Sequence, residues 1–386
     1  MSPKAQTQKT GQRTANADTW KCFFVRLPWL MLVPLGFALP LFAANNSAFI
    51  NGFYAEKLYP FIAKTTQLFT SFLPFSLAEF ILVSGSVSLA AFVVVLAVRL
   101  IMRKTSVPRL FNTILTIVII AGAMLNMFYV MWGFNYNRAD LSHSMNLEVT
   151  PRSTEELQQV CYYLVAQANA YRENVPTNSD GVFESELTFH ELQKVIEPTY
   201  AALAEQYPIF AGSVGNVKGV VLSKGLSYAG ISGIFIPFTN EANVNIDQPS
   251  LLLLASAAHE SAHQLGIAKE DEANFASYLV GTKSNSADLC YSATMLALIN
   301  CTNKLYEADS DAYFEVYSLY GDGIKRDLAD YNKYWKQFEG PVEETFENLN
   351  DSYLQFNNQE SGVKSYGEMV DLVIAYYFDV IIATDS

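Results

Sequence analysis

Histidine and cysteine are both scarce in this 386-residue chain, with four of each. Apart from Cys22, the cysteines are Cys161, Cys290 and Cys301, which allow one internal pair at most. Cys290 and Cys301 fall on one expected helix, about 16 Å apart along its axis, too far for a disulfide. The pattern therefore argues against a disulfide scaffold and against a cysteine-based metal site. Basic residues are also sparse in the longer part of the chain. Residues 1–134 hold 11 Lys+Arg and 3 Asp+Glu, a balance of +8, and the remainder holds 14 and 35, a balance of −21. So acidic a C-terminal part argues against nucleic acid as a partner.

Charge of either sign is missing from three long stretches: Leu27 to about Ala44, Phe80 to Val98, and Leu110 to Asn137. Each has about the 20 apolar residues that cross a bilayer core. Three such runs within 140 residues, with little amphipathic sequence between them, predict transmembrane helices at about 24–44, 76–99 and 109–134 and make the lipid bilayer a partner. Lys4, Lys9, Arg13, Lys21 and Arg26 precede the first span, and Arg99, Arg103, Lys104 and Arg109 lie between the second and third. The loop between the first and second carries only Lys57 and Lys64 as basic residues. By the positive-inside rule the N-terminus and the 99–109 loop are cytoplasmic, and the chain beyond about 135 is extracytoplasmic. A cleaved signal peptide ending near Leu41-Phe42-Ala43-Ala44 would leave that exported location unchanged. The expected division is a membrane anchor, 1–134, and an exported domain, 135–386.

Within the exported part, Ser153 and Glu156 form a capping-box pattern ahead of Leu157, Val160, Leu164 and Ala168, and a second helix is expected over roughly 184–206. Strand signals follow at Val217–Leu222, Ile234–Ile236 and Asn243–Ile246, with an exposed edge expected near Pro237. A helix from Ser250 to Leu265 stops at Gly266, and another fits 270–280. The rest is mainly helical, with breaks near Gly321, Gly340 and Gly362. The fold class is α+β: three transmembrane helices, then a mainly helical domain with a small β-sheet.

Two of the four histidines stand in His259-Glu260-Ser261-Ala262-His263. On a helix, positions four apart share a face, so both imidazoles can reach one metal with Glu260 beside its open position. One Zn2+ per chain suits two neutral histidines and a carboxylate, and Glu260 is then the general base, taking a proton from water and passing it to the leaving amine. His190 is followed by Glu191 but has Lys194 where a second histidine would stand, and His143 has no neighbouring carboxylate. For the third ligand, Glu270, Asp271 and Glu272 follow the turn at Gly266, although three acids at a helix start also suit the helix dipole. A helical wheel hints at Glu272, which points along the face of Phe275, Ala276 and Leu279, whereas Glu270 shares its face with Asn274 and Ser277. The small and polar face suits a closely approaching helix and favours Glu270, with Glu272 as the alternative.

Glu270-x-x-Ala273-Asn274 after the His-Glu-x-x-His helix resembles the gluzincin zinc peptidases, among them thermolysin and membrane CAAX-type peptidases. That resemblance implies a zincin-like domain in which Glu270 is the third ligand and Asn274 braces the site. The spacing is unusual, since Glu270 follows His263 by only seven positions. Metzincins place a third ligand six after the second His, where this chain has Lys269. The whole pattern of spans, His-Glu-x-x-His-Gln-x-Gly, Glu-Asp-Glu-Ala-Asn-Phe and Ser365-Tyr366-Gly367 resembles a bacterial membrane family known only as a domain of unknown function. The expected function is a membrane-anchored zinc endopeptidase cutting peptides or envelope proteins outside the cytoplasm. The alternatives are a membrane sensor and a non-catalytic scaffold with a structural metal. Gly233–Ile246 could hold an extended substrate, or be a plain hairpin. Tyr228, Tyr366 and Asn274 are candidate oxyanion stabilisers or braces.

Overall fold

The computed structural model describes residues 17–357, 359, 362 and 365–383, the side chains of 365–367 excepted. Lys4, Lys9 and Arg13, which entered the expected orientation, lie outside the described residues. The first helices are α1 (Ala17–Ala44), α2 (Tyr59–Thr70), α3 (Leu77–Ile101) and α4 (Val107–Met131). Then come α5 (Thr154–Arg172), α6 (Phe189–Gln206), β1 (Lys218–Val220), β2 (Gly233–Ile236) and β3 (Glu241–Asn245). The remaining helices are α7 (Ser250–Gln264), α8 (Glu270–Lys283), α9 (Ala287–Ala308), α10 (Ser310–Ser318), α11 (Asp322–Lys336), α12 (Pro341–Phe356) and α13 (Ser365–Tyr376).

The chain forms two compact units, one of residues up to Ser47 with Ala78–Phe134, the other of Ala48–Leu77 with Asn135–Ser386. In the first, α1, α3 and α4 are each long and apolar enough to cross a membrane. Small residues let α1 and α4 approach: a Cβ on Gly36 would lie 2.8 Å from the Leu125 side chain, and one on Gly122 would lie 3.1 Å from the backbone nitrogen of Val33. Asn126 Nδ2 donates to the Leu32 carbonyl at 2.6 Å and strengthens the pair. By contrast, α3 buries no residue at all.

The second unit departs from the expected boundary. Residues 48–77, assigned from sequence to the anchor, cluster with 135–386. Here α5 starts with the Ser153–Glu156 capping box. The next helix, α6, begins at Phe189 rather than near 184, because Thr188 and Glu191 form a second capping box. Glu191, next to the isolated His190, is thus taken up by a helix cap. Gly321 and Gly340 cap α11 and α12, as their sequence breaks indicate, while the break at Asp309 between α9 and α10 carries no glycine.

Three strands in the order β1-β3-β2 make the sheet, with β1 parallel and β2 antiparallel to β3. The central strand is wholly buried although it reads Glu-Ala-Asn-Val-Asn. Its side-chain donors are matched: Asn243 Nδ2 donates to the Ile234 carbonyl at 3.2 Å and Asn245 Nδ2 to Ser227 Oγ at 2.9 Å. Glu241 pairs with buried Lys218 at 2.5 Å and also accepts from the Leu77 N–H at 3.0 Å. Lys218 in turn donates to the Thr70 carbonyl at 2.8 Å. One buried ion pair therefore ties the 48–77 segment to the sheet.

Removing one partner of a buried pair leaves the other charge uncompensated, at a cost of about 3–5 kcal/mol. Lys218→Met should accordingly destabilise the second unit by about that amount in denaturant melts. A change below about 1 kcal/mol would show that the pair does not hold this segment.

Candidate metal centre

The His-Glu-x-x-His segment occupies the last turns of α7, a helix walled by β2, β3, α8 and α9. Its end is set by a Schellman turn: Gly266, at φ +81°, donates to the His263 carbonyl at 3.0 Å, and Ile267 donates to the Ala262 carbonyl at 3.2 Å. A side chain at Gly266 would be strained at that φ and would meet the Tyr59 ring at 2.8 Å. The same turn folds the Ile267 carbonyl back to accept from His263 Nδ1 at 2.7 Å. Three residues later α8 begins, and its Asn274 Oδ1 accepts from His259 Nδ1 at 2.8 Å. Ser277 Oγ donates to the Ala255 carbonyl at 2.7 Å, possible because both helices present small residues at the crossing.

With both Nδ1 atoms donating, each neutral ring turns an Nε2 lone pair inward. The two Nε2 atoms are 3.1 Å apart. Glu270 Oε2 lies 3.1 Å from that of His259 and 3.6 Å from that of His263, and among the described residues no donor outside these rings reaches it. Three buried electron-pair donors within 4.8 Å of one another could hold a cation. Two nitrogens and a carboxylate oxygen, each imidazole fixed by a partner on its other nitrogen, are a donor set that fits a divalent transition metal. A proton can serve as that cation: burial lowers the His263 pKa, but Glu270 and Glu260 outweigh it and raise the group to about 9. Burial pushes the Glu270 carboxyl up, yet His263 and His259 hold it well below the ordinary range.

Glu260 is buried beside the cluster and faces β2, where the Phe235 backbone N–H bonds to its carboxylate. Gly233 makes room for it, since a Cβ there would stand 2.5 Å from Glu260 Oε1. Burial raises the Glu260 pKa to about 7, against the opposing pull of His259 and His263. Glu272 is placed elsewhere: its Oε1 accepts from the Leu141 N–H at 2.8 Å, with Lys269 at 3.8 Å, and burial raises its pKa to about 7. Asp140, the residue before Leu141, pairs with Lys269. Of the three carboxylates considered from sequence, Glu270 is the one brought to the imidazoles. Tyr228 is half exposed with its ring edge-on to Phe338, and the side chain of Tyr366 lies outside the described residues.

The sequence reading gave no supporting role to four residues. The Tyr59 hydroxyl, from α2, reaches the His263 and Gln264 carbonyls at 3.2 and 2.9 Å. Arg138 Nη1 caps the Leu265 carbonyl at 3.0 Å, and its charge suits a helix C-terminus. Gln264 accepts from the Gly215 N–H at 3.0 Å and donates to the Asn240 carbonyl at 2.8 Å, fastening the β2–β3 turn to α7. Gly233 is the fourth. Only Gln264, an amide adjoining the motif on a buried helix, and Gly233, in a glycine-punctuated run, carried a local signal.

Glu270→Gln should weaken metal binding strongly, and Glu272→Gln should weaken it much less; the reverse order in metal titrations would move the ligand to Glu272. Because metal uptake displaces the proton held at His263, affinity should rise with pH, about tenfold per unit, until His263 is neutral above about 9. Affinity independent of pH between 6 and 8 would show that no proton is displaced.

No curated protein and no solved structure matches this chain. A family described as Protein of unknown function (DUF3810) matches residues 54–374, a range that begins ahead of α2 and takes in α3, α4, the sheet and the whole His259–Glu270 cluster. The chain belongs to that family.

Proposed function

We propose that the chain is a membrane-anchored zinc peptidase whose second unit hydrolyses peptide bonds outside the cytoplasm. The single observation that carries this reading is the convergence of His259, His263 and Glu270 with a buried Glu260 set between them and an edge strand. A purely structural metal would be served by the three ligands and has no use for a fourth, buried carboxylate held against β2. The pairing of α7 with α8, Glu270 followed by Asn274, and a sheet ending in an open strand support a zincin-like, gluzincin-type arrangement.

Zinc bound at these residues would supply a Lewis acid that polarises a carbonyl and makes water acidic enough to attack near neutral pH. Glu260 takes the proton from that water and hands it to the departing amine, so one carboxylate serves as base and then acid. A carboxyl raised by burial accepts a proton more readily than an exposed one. Asn274 and the Ile267 carbonyl keep each imidazole in the tautomer that leaves Nε2 free. An extended peptide paired with the open edge of β2 would pass Glu260, held by backbone hydrogen bonds that tolerate varied side chains. A peptide or an envelope protein is therefore the expected substrate. The charge asymmetry about α1, α3 and α4 supports a cytoplasmic N-terminus and an exported second unit.

Glu260→Gln in the full-length protein should retain about one zinc per chain and lose at least about a hundredfold in peptide hydrolysis. Undiminished activity would remove Glu260 from the mechanism; zinc-loaded wild type that cuts no member of a peptide library would favour a scaffold or sensor. A cysteine at exposed Ser179, in a Cys22→Ser background, should react with an impermeant thiol reagent in intact cells. Protection until the cells are opened would reverse the topology.

A further inference from the structure

The first unit contains a cavity of about 480 Å3 between α3, α4 and the start of α1. Four cations line it, Arg26, Arg99, Lys104 and Arg109, and no carboxylate does. Among the described residues none of the four is in an ion pair. Arg26 Nη1 donates to Thr116 Oγ1 at 3.0 Å, so this exposed cation reaches from α1 to α4. Convergent like charges repel, and a shared site of this kind is stabilised by an anion that meets several of them at once.

The other walls describe the rest of the ligand. Phe92 and Val95 on α3 face Ile117 and Ile120 on α4, extending an apolar cleft away from the cationic mouth. The cleft exists because α4 packs through Gly122 against α1, while α3 buries nothing and stands apart from that pair. A cationic mouth above an apolar cleft within membrane-length helices is complementary to an anionic amphiphile.

We propose that this cavity is a binding site for an anionic glycerophospholipid, its headgroup phosphate held by Arg26, Arg99, Lys104 and Arg109 and an acyl chain lying between α3 and α4. A zwitterionic lipid carries the same phosphate but brings its own cation into a cluster that already has four, so the site selects for net negative charge. The inference rests on reading the three helices as membrane spans and is independent of the hydrolytic reading.

The test uses the full-length protein released from membranes in mild detergent and offered phosphatidylglycerol or phosphatidylcholine, with bound lipid counted by native mass spectrometry. Phosphatidylglycerol should be retained at about one per chain and preferred over phosphatidylcholine. The Arg99→Gln, Arg109→Gln double variant should lose about thirtyfold in that preference, taking the effect of two basic residues near a lipid surface. Arg103→Gln, which removes a charge from the same loop but not from the cavity, should leave it unchanged. Equal loss in Arg103→Gln would reduce the effect to general surface charge and overturn the site. Displacement of the lipid by millimolar inorganic phosphate would make it a phosphate site without the acyl component. If the chain is extracted by alkaline carbonate, the membrane reading fails; if it resists extraction yet shows no lipid preference, only the cavity assignment fails.

Discussion

Two imidazole lone pairs and a carboxylate oxygen, all buried within 4.8 Å, repel one another unless a cation lies among them, and much of the second unit is arranged to keep them there. Each ring is locked from behind, His259 by Asn274 and His263 by the Ile267 carbonyl, so neither can turn its lone pair away. The helix that carries them is in turn anchored at its C-terminal end by Tyr59 and Arg138. Relaxation by ring rotation or by fraying of α7 would have to break bonds that are themselves buried, so the repulsion is held as a standing demand for positive charge.

The short step from His263 to Glu270 follows from the same backbone. A Schellman turn reverses the chain within two residues of the helix end, and α8 starts after Lys269, so the first residue of α8 already faces the imidazoles. Glycine at 266 is what makes the reversal possible, both for its φ of +81° and for the Tyr59 ring packed over it. A longer connection would be needed only if Glu were delivered from deeper in the second helix. Here it comes from the first position, while Glu272, two residues on, rotates away to hold the Leu141 N–H.

The segment between the first two apolar runs is structural mortar for the second unit and not a simple tether. Through α2 it supplies the Tyr59 hydroxyl and the Gln67 amide, which donates to Asn240 Oδ1 at 2.7 Å, and Thr70 and Leu77 close the Lys218–Glu241 pair. The β2–β3 turn, with Asn240 at φ +50°, is thus fixed from α2 on one side and from Gln264 on the other. Since β2 also receives the Glu260 carboxylate, the position of that carboxylate relative to His259, His263 and Glu270 depends on hydrogen bonds that span 173 to 205 positions.

Local physics made much of this legible in the amino-acid order. Charge-free runs of membrane length, the Ser153–Glu156 capping box, the glycine stop at 266 and the four-residue spacing of His259 and His263 all act through neighbours in sequence, so their consequences can be read directly. The wheel hinted at Glu272, on the apolar face, but the face bearing Asn274 and Ser277 is small and polar enough for close approach and favoured Glu270. The strand Glu241–Asn245 could be read for extension, but its complete burial could not, since partners outside the strand, Ser227 and Lys218 among them, make its polar side chains tolerable in a core. Likewise Tyr59, Arg138 and Lys218 look like ordinary residues in their own neighbourhoods. Their roles come from hydrogen bonds that span 127 to 205 positions, or from an ion pair that reaches back to the 48–77 segment. Sequence determined which elements form and which side chains share a face; tertiary structure alone decided which carboxylate meets the imidazoles, because that depends on the crossing of two helices and not on the period of either.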